Sequence, residues 1–342
     1  MRLGADRARV RVPATSANLG PGFDALGLAL ALYDDVEVRA LGSAEVVVDV
    51  VGEGAQDVPT GEDHLVVRAL RHALDHVGAP QTGLHLTCRN RIPHGRGLGS
   101  SAGAVVAGIL AARALVAEPE SLDGDVALRL ATELEGHPDN AAPALLGGAT
   151  VAWCDEPPAG GRRAAPPAVH AVGLPVHPSI APVVVVPATH LSTHRARGVL
   201  PTEVPHADAA FQAGRSALLV EALGRRPDLL LPATEDRLHQ RYRRGVMPES
   251  LALVDALRAR GVAAVVSGAG PTVLALARSA GPVAAATSGL RAVRAADVVA
   301  ADPLGPTDAD AVVEAVFGGA MGGWRVLRLA IDTTGAQARR LP

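Results

Sequence analysis

The 342-residue sequence contains no lysine; all 32 of its Lys and Arg positions are arginine. That absence excludes chemistries built on an ε-amino group. A P-loop needs G-x-x-x-x-G-K-[ST], whose ammonium reaches the β/γ-phosphates. Protein-kinase-type enzymes need a strand lysine, and Schiff-base enzymes a lysine nucleophile. Cysteine is nearly absent as well. Cys88 and Cys154 stand 66 positions apart with no C-x-x-C partner, which gives neither a disulfide framework nor a zinc set and suits a reducing cytosol. The twelve histidines show no H-E-x-x-H or other zinc spacing. Net charge is only -3, so no overall basic field argues for nucleic acid. The Met1–Arg9 stretch carries no apolar h-region, and Gly, Arg or Pro interrupts the apolar runs before membrane-spanning length. A soluble cytoplasmic protein is expected.

What is present is a large apolar fraction, 48% hydrophobic against 20% charged, enough for a sizeable core. The length fits about two domains. Alternation predicts strands at Ala8–Ala14, Val46–Val51 and Leu84–Cys88, and a mostly extended stretch over Leu26–Ala40. Helical spacing marks Leu65–Val77, Ser101–Val116 and Asp123–Glu135, the last stopped by Gly136-His137-Pro138. Gly147–Trp153 reads as a strand. Asp155–Pro167, rich in Pro, Gly and Ala, is the clearest linker, and a domain boundary is placed there. The second half predicts strands at Val183–Val186, Ala263–Ser267, Thr272–Ala277 and Trp324–Ile331. Its helices are expected at Ala207–Leu223, Leu251–Arg260 and near Val283–Val293. The tail after residue 333 carries no motif. Strands and helices interleaved in both halves argue for two sandwiches of one sheet layer and one helix layer.

Arg91-Ile-Pro-His-Gly-Arg-Gly-Leu-Gly-Ser-Ser-Ala102 joins a strand to the long apolar helix. Gly95, Gly97 and Gly99 permit positive φ, and a helix starting at once adds unpaired N–H groups and a positive partial charge. A polyanion is the natural guest. The bland reading is a glycine turn with a serine N-cap. A dinucleotide fingerprint is weaker, because the glycine spacing is wrong and no convincing second strand follows.

Two further motifs accompany this one. They are Pro13-Ala-Thr-Ser-Ala-Asn-Leu-Gly-Pro-Gly-Phe-Asp24 and Val266-Ser-Gly-Ala-Gly-Pro-Thr272. In their order and approximate spacing the three resemble the galacto-, homoserine, mevalonate and phosphomevalonate (GHMP) kinase superfamily, over about residues 10 to 280. The resemblance implies an α+β, two-domain fold: an N-terminal ATP-binding domain of mixed sheet and helix over 1–160, and a C-terminal ferredoxin-like α/β sandwich over 161–342. It also implies ATP and Mg²⁺ as cofactors, held without lysine by Pro93, His94, Gly95, Arg96, Gly97, Leu98, Gly99, Ser100, Ser101, Ala102 and Gly103.

Within the superfamily the first motif resembles that of the homoserine kinases. The expected reaction is phosphoryl transfer from ATP to the side-chain hydroxyl of L-homoserine, in a protein expected to be a homodimer. By that resemblance Asn18, Asp24, Asn140, Thr193, Arg197, Arg243 and Gly268 hold the amino acid. Arginine forks suit its carboxylate, and Asn and Asp oxygens its ammonium. Taken alone, Asn18 and Asp24 are turn formers, and either arginine is a solvated charge. Ser100 and Glu135 are implied to hold Mg²⁺, with Glu133 the alternative; their spacing of two puts the glutamates on different helix faces. Asp139 and Asn140 are the candidate catalytic pair. Direct in-line transfer is expected, since phosphoryl transfer needs positioning more than early deprotonation; Asp24, Asp139 and solvent remain open as proton acceptors. The family often has Asn where this chain has His64, near the adenine. Two other readings stand beside this one, a kinase of the same fold for another small alcohol and an inactive ligand sensor.

Overall fold

The computed structural model describes residues 1–156, 167–278, 312 and 323–342. Two sheets organise them. The first contains β1 (Arg7–Ala17), β2 (Leu26–Leu41), β3 (Val46–Gly52), β4 (Gly83–Asn90), β5 (Ala149–Cys154), β6 (Val169–Leu174) and β11 (Gln337–Arg340). Its order is β11-β1-β2-β4-β3, with β5 and β6 continuing from the other end of β2. Only β3 and β4 run parallel; the other pairs of this sheet are antiparallel.

The long strand β2 serves both core layers because its pairing with β1 slips between Pro13 and Ala14. Before the slip, Ala8, Val10 and Val12 face a cluster shared with Val36, Val38 and the helices; beyond it, Ala14 joins Leu26, Leu28 and Leu30 in a second cluster. The helices on the first layer are α1 (Leu65–His76), α2 (Ser100–Leu115) and α3 (Gly124–Glu135). Nearly every residue of α2 is buried, as its Ala/Val/Leu composition without charged stripes requires. Gly108 lets α1 lie against it: a Cβ there would collide with the Val66 carbonyl. A short α4 (Ala141–Leu146) leads back into β5.

The second sheet contains β7 (Ile180–Pro187), β8 (Ala264–Val266), β9 (Val273–Arg278) and β10 (Trp324–Arg328), in the order β10-β7-β9-β8 and antiparallel throughout. That is the strand order of a ferredoxin-like sandwich. The run Val183–Val186 is continuously apolar because both faces are covered. Val183 and Val185 pack on α8 (Pro248–Arg258), while Val184 and Val186 pack on α6 (His206–Gly224) and the first sheet. Two more short helices, α5 (Thr193–Gly198) and α7 (Leu230–Ala233), lie between β7 and α8.

The expected helix at 283–293, most of the linker and the 160/161 boundary lie outside the described residues. Strands β6 and β11, both beyond residue 160, are hydrogen-bonded into the first sheet. The division into sheets therefore does not coincide with the division expected from the linker: the chain returns its last residues to β1.

Candidate active site

The three motifs, far apart in sequence, meet at one point. Ser267 Oγ lies 2.6 Å from the Gly97 carbonyl and 2.8 Å from Ser16 Oγ. The Gly268 N–H donates to the Ala17 carbonyl, the Thr15 N–H to the Leu98 carbonyl and the Thr272 N–H to the Arg96 carbonyl. Gly97 has φ +76°, and a Cβ on it would collide with the Ser267 carbonyl oxygen. Glycine is thus required there twice over, by conformation and by the approach of the third motif.

These contacts fix a loop in which Gly95, Gly97 and Gly99 all have positive φ and which opens into the 16-residue helix α2 with no side chain capping its N-terminus. The first turn's N–H groups and the positive end of the helix face a cleft of about 250 Å³. The cleft is lined by Pro93, Gly95, Gly97–Ala102, the end of α3 and the 137–140 segment on one side. Thr193, Arg197, Arg243 and Gly268 line the other. Of the expected loop residues, three do not line it. The Arg96 guanidinium is spent on the carbonyls of Pro187, Ala188 and His94. His94 packs by Gly54 and Asn90, and Gly103 packs on Val12 and Ile92.

The serine and carboxylate chemistry sits at the helix start. Ser101 Oγ donates to Glu135 Oε1 at 2.6 Å, and Ser100 lines the cleft beside it. Burial pushes the Glu135 carboxyl above its usual range, against the Ser101 hydrogen bond. Glu133 points elsewhere, accepting from Arg129 at 2.6 Å and meeting His72 at 3.0 Å. Hydroxyl oxygens and one carboxylate, beside a site for phosphate oxygens, are hard donors of the kind Mg²⁺ takes. Mg²⁺ therefore fits these residues.

Arg197, which lines the cleft, forms a two-pronged ion pair with Asp24, which does not itself line it: Nη1 to Oδ2 at 3.1 Å and Nη2 to Oδ1 at 2.5 Å. Asp24 has φ +56°, a conformation held by Asn18, whose Oδ1 accepts the Asp24 N–H at 3.0 Å while its Nδ2 donates to the Gly268 carbonyl at 2.9 Å. Asn18 is buried and ties the first motif to the third. Thr193 and Arg197 stand one turn apart on α5, so both reach the cleft. Arg243 is 1% exposed. Burial, then the nearby charge of Arg197, lowers its pKa to about 10.

Between the phosphate loop and the arginines lie Asp139 and Asn140. Asp139 is 1% exposed and accepts from His137 Nδ1 at 2.6 Å and Asn140 Nδ2 at 3.3 Å. Thr15 Oγ1 donates to Asn140 Oδ1 at 2.8 Å. Thr15, inside the first motif, and His137, two residues before Asp139, were missed as site residues by sequence reasoning. The available signal was position alone: Thr15 lies within the first motif, and His137 stands beside the candidate pair Asp139 and Asn140.

Comparisons with known proteins place the chain in a family. The model of the GHMP kinases N terminal domain matches residues 64–148, and that of the GHMP kinases C terminal matches residues 209–295. The homoserine kinase of Streptomyces avermitilis is 59% identical over 270 residues, 79% of this chain and 85% of that protein. The chain belongs to the homoserine kinases. The homoserine kinase of Clavibacter michiganensis subsp. michiganensis is 49% identical over 330 residues, 96% of this chain and 93% of the relative. In fold, the family member from Cytophaga hutchinsonii superposes with a TM-score of 0.74 at 24% identity, covering 98% of each chain. A mevalonate kinase superposes at 0.59 and 12% identity, covering 95% of this chain and 99% of that one. Among the described residues no helix is long and apolar enough to cross a membrane.

Proposed function

We propose that this homoserine-kinase-family protein transfers the γ-phosphoryl group of ATP to the side-chain hydroxyl of L-homoserine, giving O-phospho-L-homoserine and ADP. The single observation that carries the reading is the pairing of an anion-binding helix start with a buried arginine and an Asp–Arg pair across one cleft. A zwitterion with a hydroxyl tail matches the second half of that arrangement, and a polyphosphate matches the first.

In this reading the backbone N–H groups of the glycine loop and of α2 hold the phosphates. Ser100, Ser101 and Glu135 would hold Mg²⁺, which when bound neutralises developing phosphate charge. Arg197 and Arg243 take the carboxylate of homoserine, and Asp24, oriented by Asn18, takes its ammonium. Asn140 orients the hydroxyl. The hydroxyl oxygen attacks the γ-phosphorus in line; the new O–P bond forms as the bond to the ADP oxygen breaks. The hydroxyl proton leaves through the polar group at Asp139 and His137 or directly to phosphate, as the loose transition state delays its departure. Support for that assignment is the short His137–Asp139 contact beside Asn140. A cytoplasmic enzyme that works as a homodimer and feeds threonine biosynthesis completes the proposal.

Incubation with ATP, Mg²⁺ and L-homoserine tests it. Formation of O-phosphohomoserine supports the reading; ATP consumption with mevalonate, galactose or shikimate but not with homoserine would transfer the site to another alcohol.

A further inference from the structure

The imidazole of His239 is buried from solvent and does not line the cleft. Its Nε2 is 2.7 Å from the Gly20 carbonyl and its Nδ1 is 2.9 Å from Arg243 Nη1. A carbonyl oxygen can only accept and a guanidinium can only donate. The two partners therefore fix one tautomer, with the proton on Nε2 and the lone pair of Nδ1 turned to Arg243. Burial, together with the neighbouring guanidinium, disfavours the charged imidazolium. Asp236 Oδ1 also stands 3.6 Å from Nε2, and its charge opposes that lowering of the pKa without reversing it. An acceptor on that side keeps the proton on Nε2, and the carboxylate is further held by Gln212 and by the N–H groups of Leu238, His239 and Gln240.

The rest of the guanidinium shows what this contact sets. Arg243 Nε donates to the Ala196 carbonyl at 3.2 Å, and Nη1 is shared between His239 and the Gly268 carbonyl, the latter at 3.1 Å. Nη2 has no hydrogen-bond partner among the described residues, and Arg243 lines the cleft. Gly20 lies in the turn that leads to Asp24, and the Phe23 ring of the same turn packs against the His239 ring, with centroids 5.1 Å apart and planes tilted by 31°.

We infer that His239 is a positioning residue for amino-acid recognition: it clamps Nη1 of Arg243 and the Gly20 turn together, so that Nη2 is aimed at the substrate carboxylate. The ligand chemistry is that of an α-amino-acid zwitterion, and the inference deepens the proposed function and rests on it. A guanidinium on a long stem otherwise has several rotamers, and ordering it beforehand spares that cost on binding.

Two variants separate the two bonds. His239→Asn keeps an acceptor at the position of Nδ1 and loses the donor to Gly20. His239→Gln keeps a donor near Nε2 and loses the acceptor for Arg243. Each loses one buried bond, so thermal stability falls comparably in both. The expected result is a rise of about tenfold or more in KM for homoserine in His239→Gln, with KM for ATP changed by less than about threefold. His239→Asn recovers most of that loss. Equal homoserine KM values in the two variants would overturn the inference and leave His239 a structural residue. Should the wild-type enzyme not phosphorylate homoserine, the proposed function falls, yet crystal structures of the variants still decide this inference. Arg243 displaced in His239→Gln and kept in His239→Asn supports it; Arg243 unmoved in both contradicts it.

Discussion

Asp24 and Arg197 neutralise each other through two hydrogen bonds beside the cleft that Arg197 lines. An incoming zwitterion offers each of them an opposite charge, so binding exchanges one ion pair for two without stranding a charge. The side chains are about one third exposed, which lets them separate at low cost.

Replacement of Arg197 by Ala removes one carboxylate fork. A hydrogen bond to a charged group is worth roughly 1.5–3 kcal/mol, so KM for homoserine should rise about tenfold to a hundredfold. Nucleotide affinity should change by less than about threefold, because the loop at Gly95–Gly99 makes no use of Arg197. Arg197→Lys should not rescue, since an ammonium cannot reproduce the planar fork. Steady-state kinetics with each substrate varied checks this; a loss confined to ATP would refute the assignment.

Gly97 and Gly214 should respond oppositely to alanine. At Gly97 the left-handed backbone alone costs a side chain about 1–2 kcal/mol, and the added Cβ meets the Ser267 carbonyl. Gly97→Ala should therefore lower Tm and weaken ATP binding more than about tenfold. Gly214 lies inside α6 at a place where an added Cβ would meet only open space, so Gly214→Ala should stabilise by about 0.5–1 kcal/mol. Calorimetry with nucleotide titration reads both.

The His137–Asp139 contact should make stability depend on pH in a defined direction. Burial opposes the charged imidazole, but the hydrogen bond to Asp139 and its charge outweigh that and raise the His137 pKa. A raised histidine contributes stability fully below its unfolded value, about 6.5, and loses that contribution as pH climbs through the folded value. The Tm difference between wild type and His137→Gln should thus be larger at pH 6 than at pH 9. A gap that stays constant, or widens toward pH 9, would contradict the pairing.

The last strand should support the phosphate site from the far end of its helix. Arg340 donates through Nε to the Ala114 carbonyl at 2.8 Å and through Nη2 to the Val116 carbonyl at 2.7 Å, a cation on the negative end of α2. Arg340→Ala should cost about 1 kcal/mol in urea unfolding. Deletion of 337–342 should cost more, because β11 also pairs with β1. An unchanged unfolding midpoint in both would remove this role.

Much of the fold was legible because the elements around the site are long and periodic. The apolar run of α2, the alternation of β1 and the double-sided burial of β7 each write one clear pattern. Elements without such a face were missed. β11 reads Gln-Ala-Arg-Arg with every residue exposed, and its place is set by the free edge of β1. α5 is six residues long, and its one local signal is the Ser192 hydroxyl accepting the Arg195 N–H. The site was legible as three motifs, but not the way they interlock. The choice of Glu135 over Glu133 as the cleft carboxylate depends on which face of α3 meets α2. The contact of His239 with Gly20 and the pairing of Asp24 with Arg197 depend on how α5 and the 236–245 segment cross the first motif. None of these is a property of local sequence.

The most direct measurement is ³¹P NMR of the purified protein with ATP, Mg²⁺ and a mixture of L-homoserine with other small alcohols at equal concentration. The account predicts a phosphomonoester resonance matching O-phospho-L-homoserine, with ADP formed in equal amount and no phosphorylated mevalonate, galactose or shikimate. ADP formation with a different phosphorylated alcohol, or no transfer to any acceptor while ATP still binds, would contradict it.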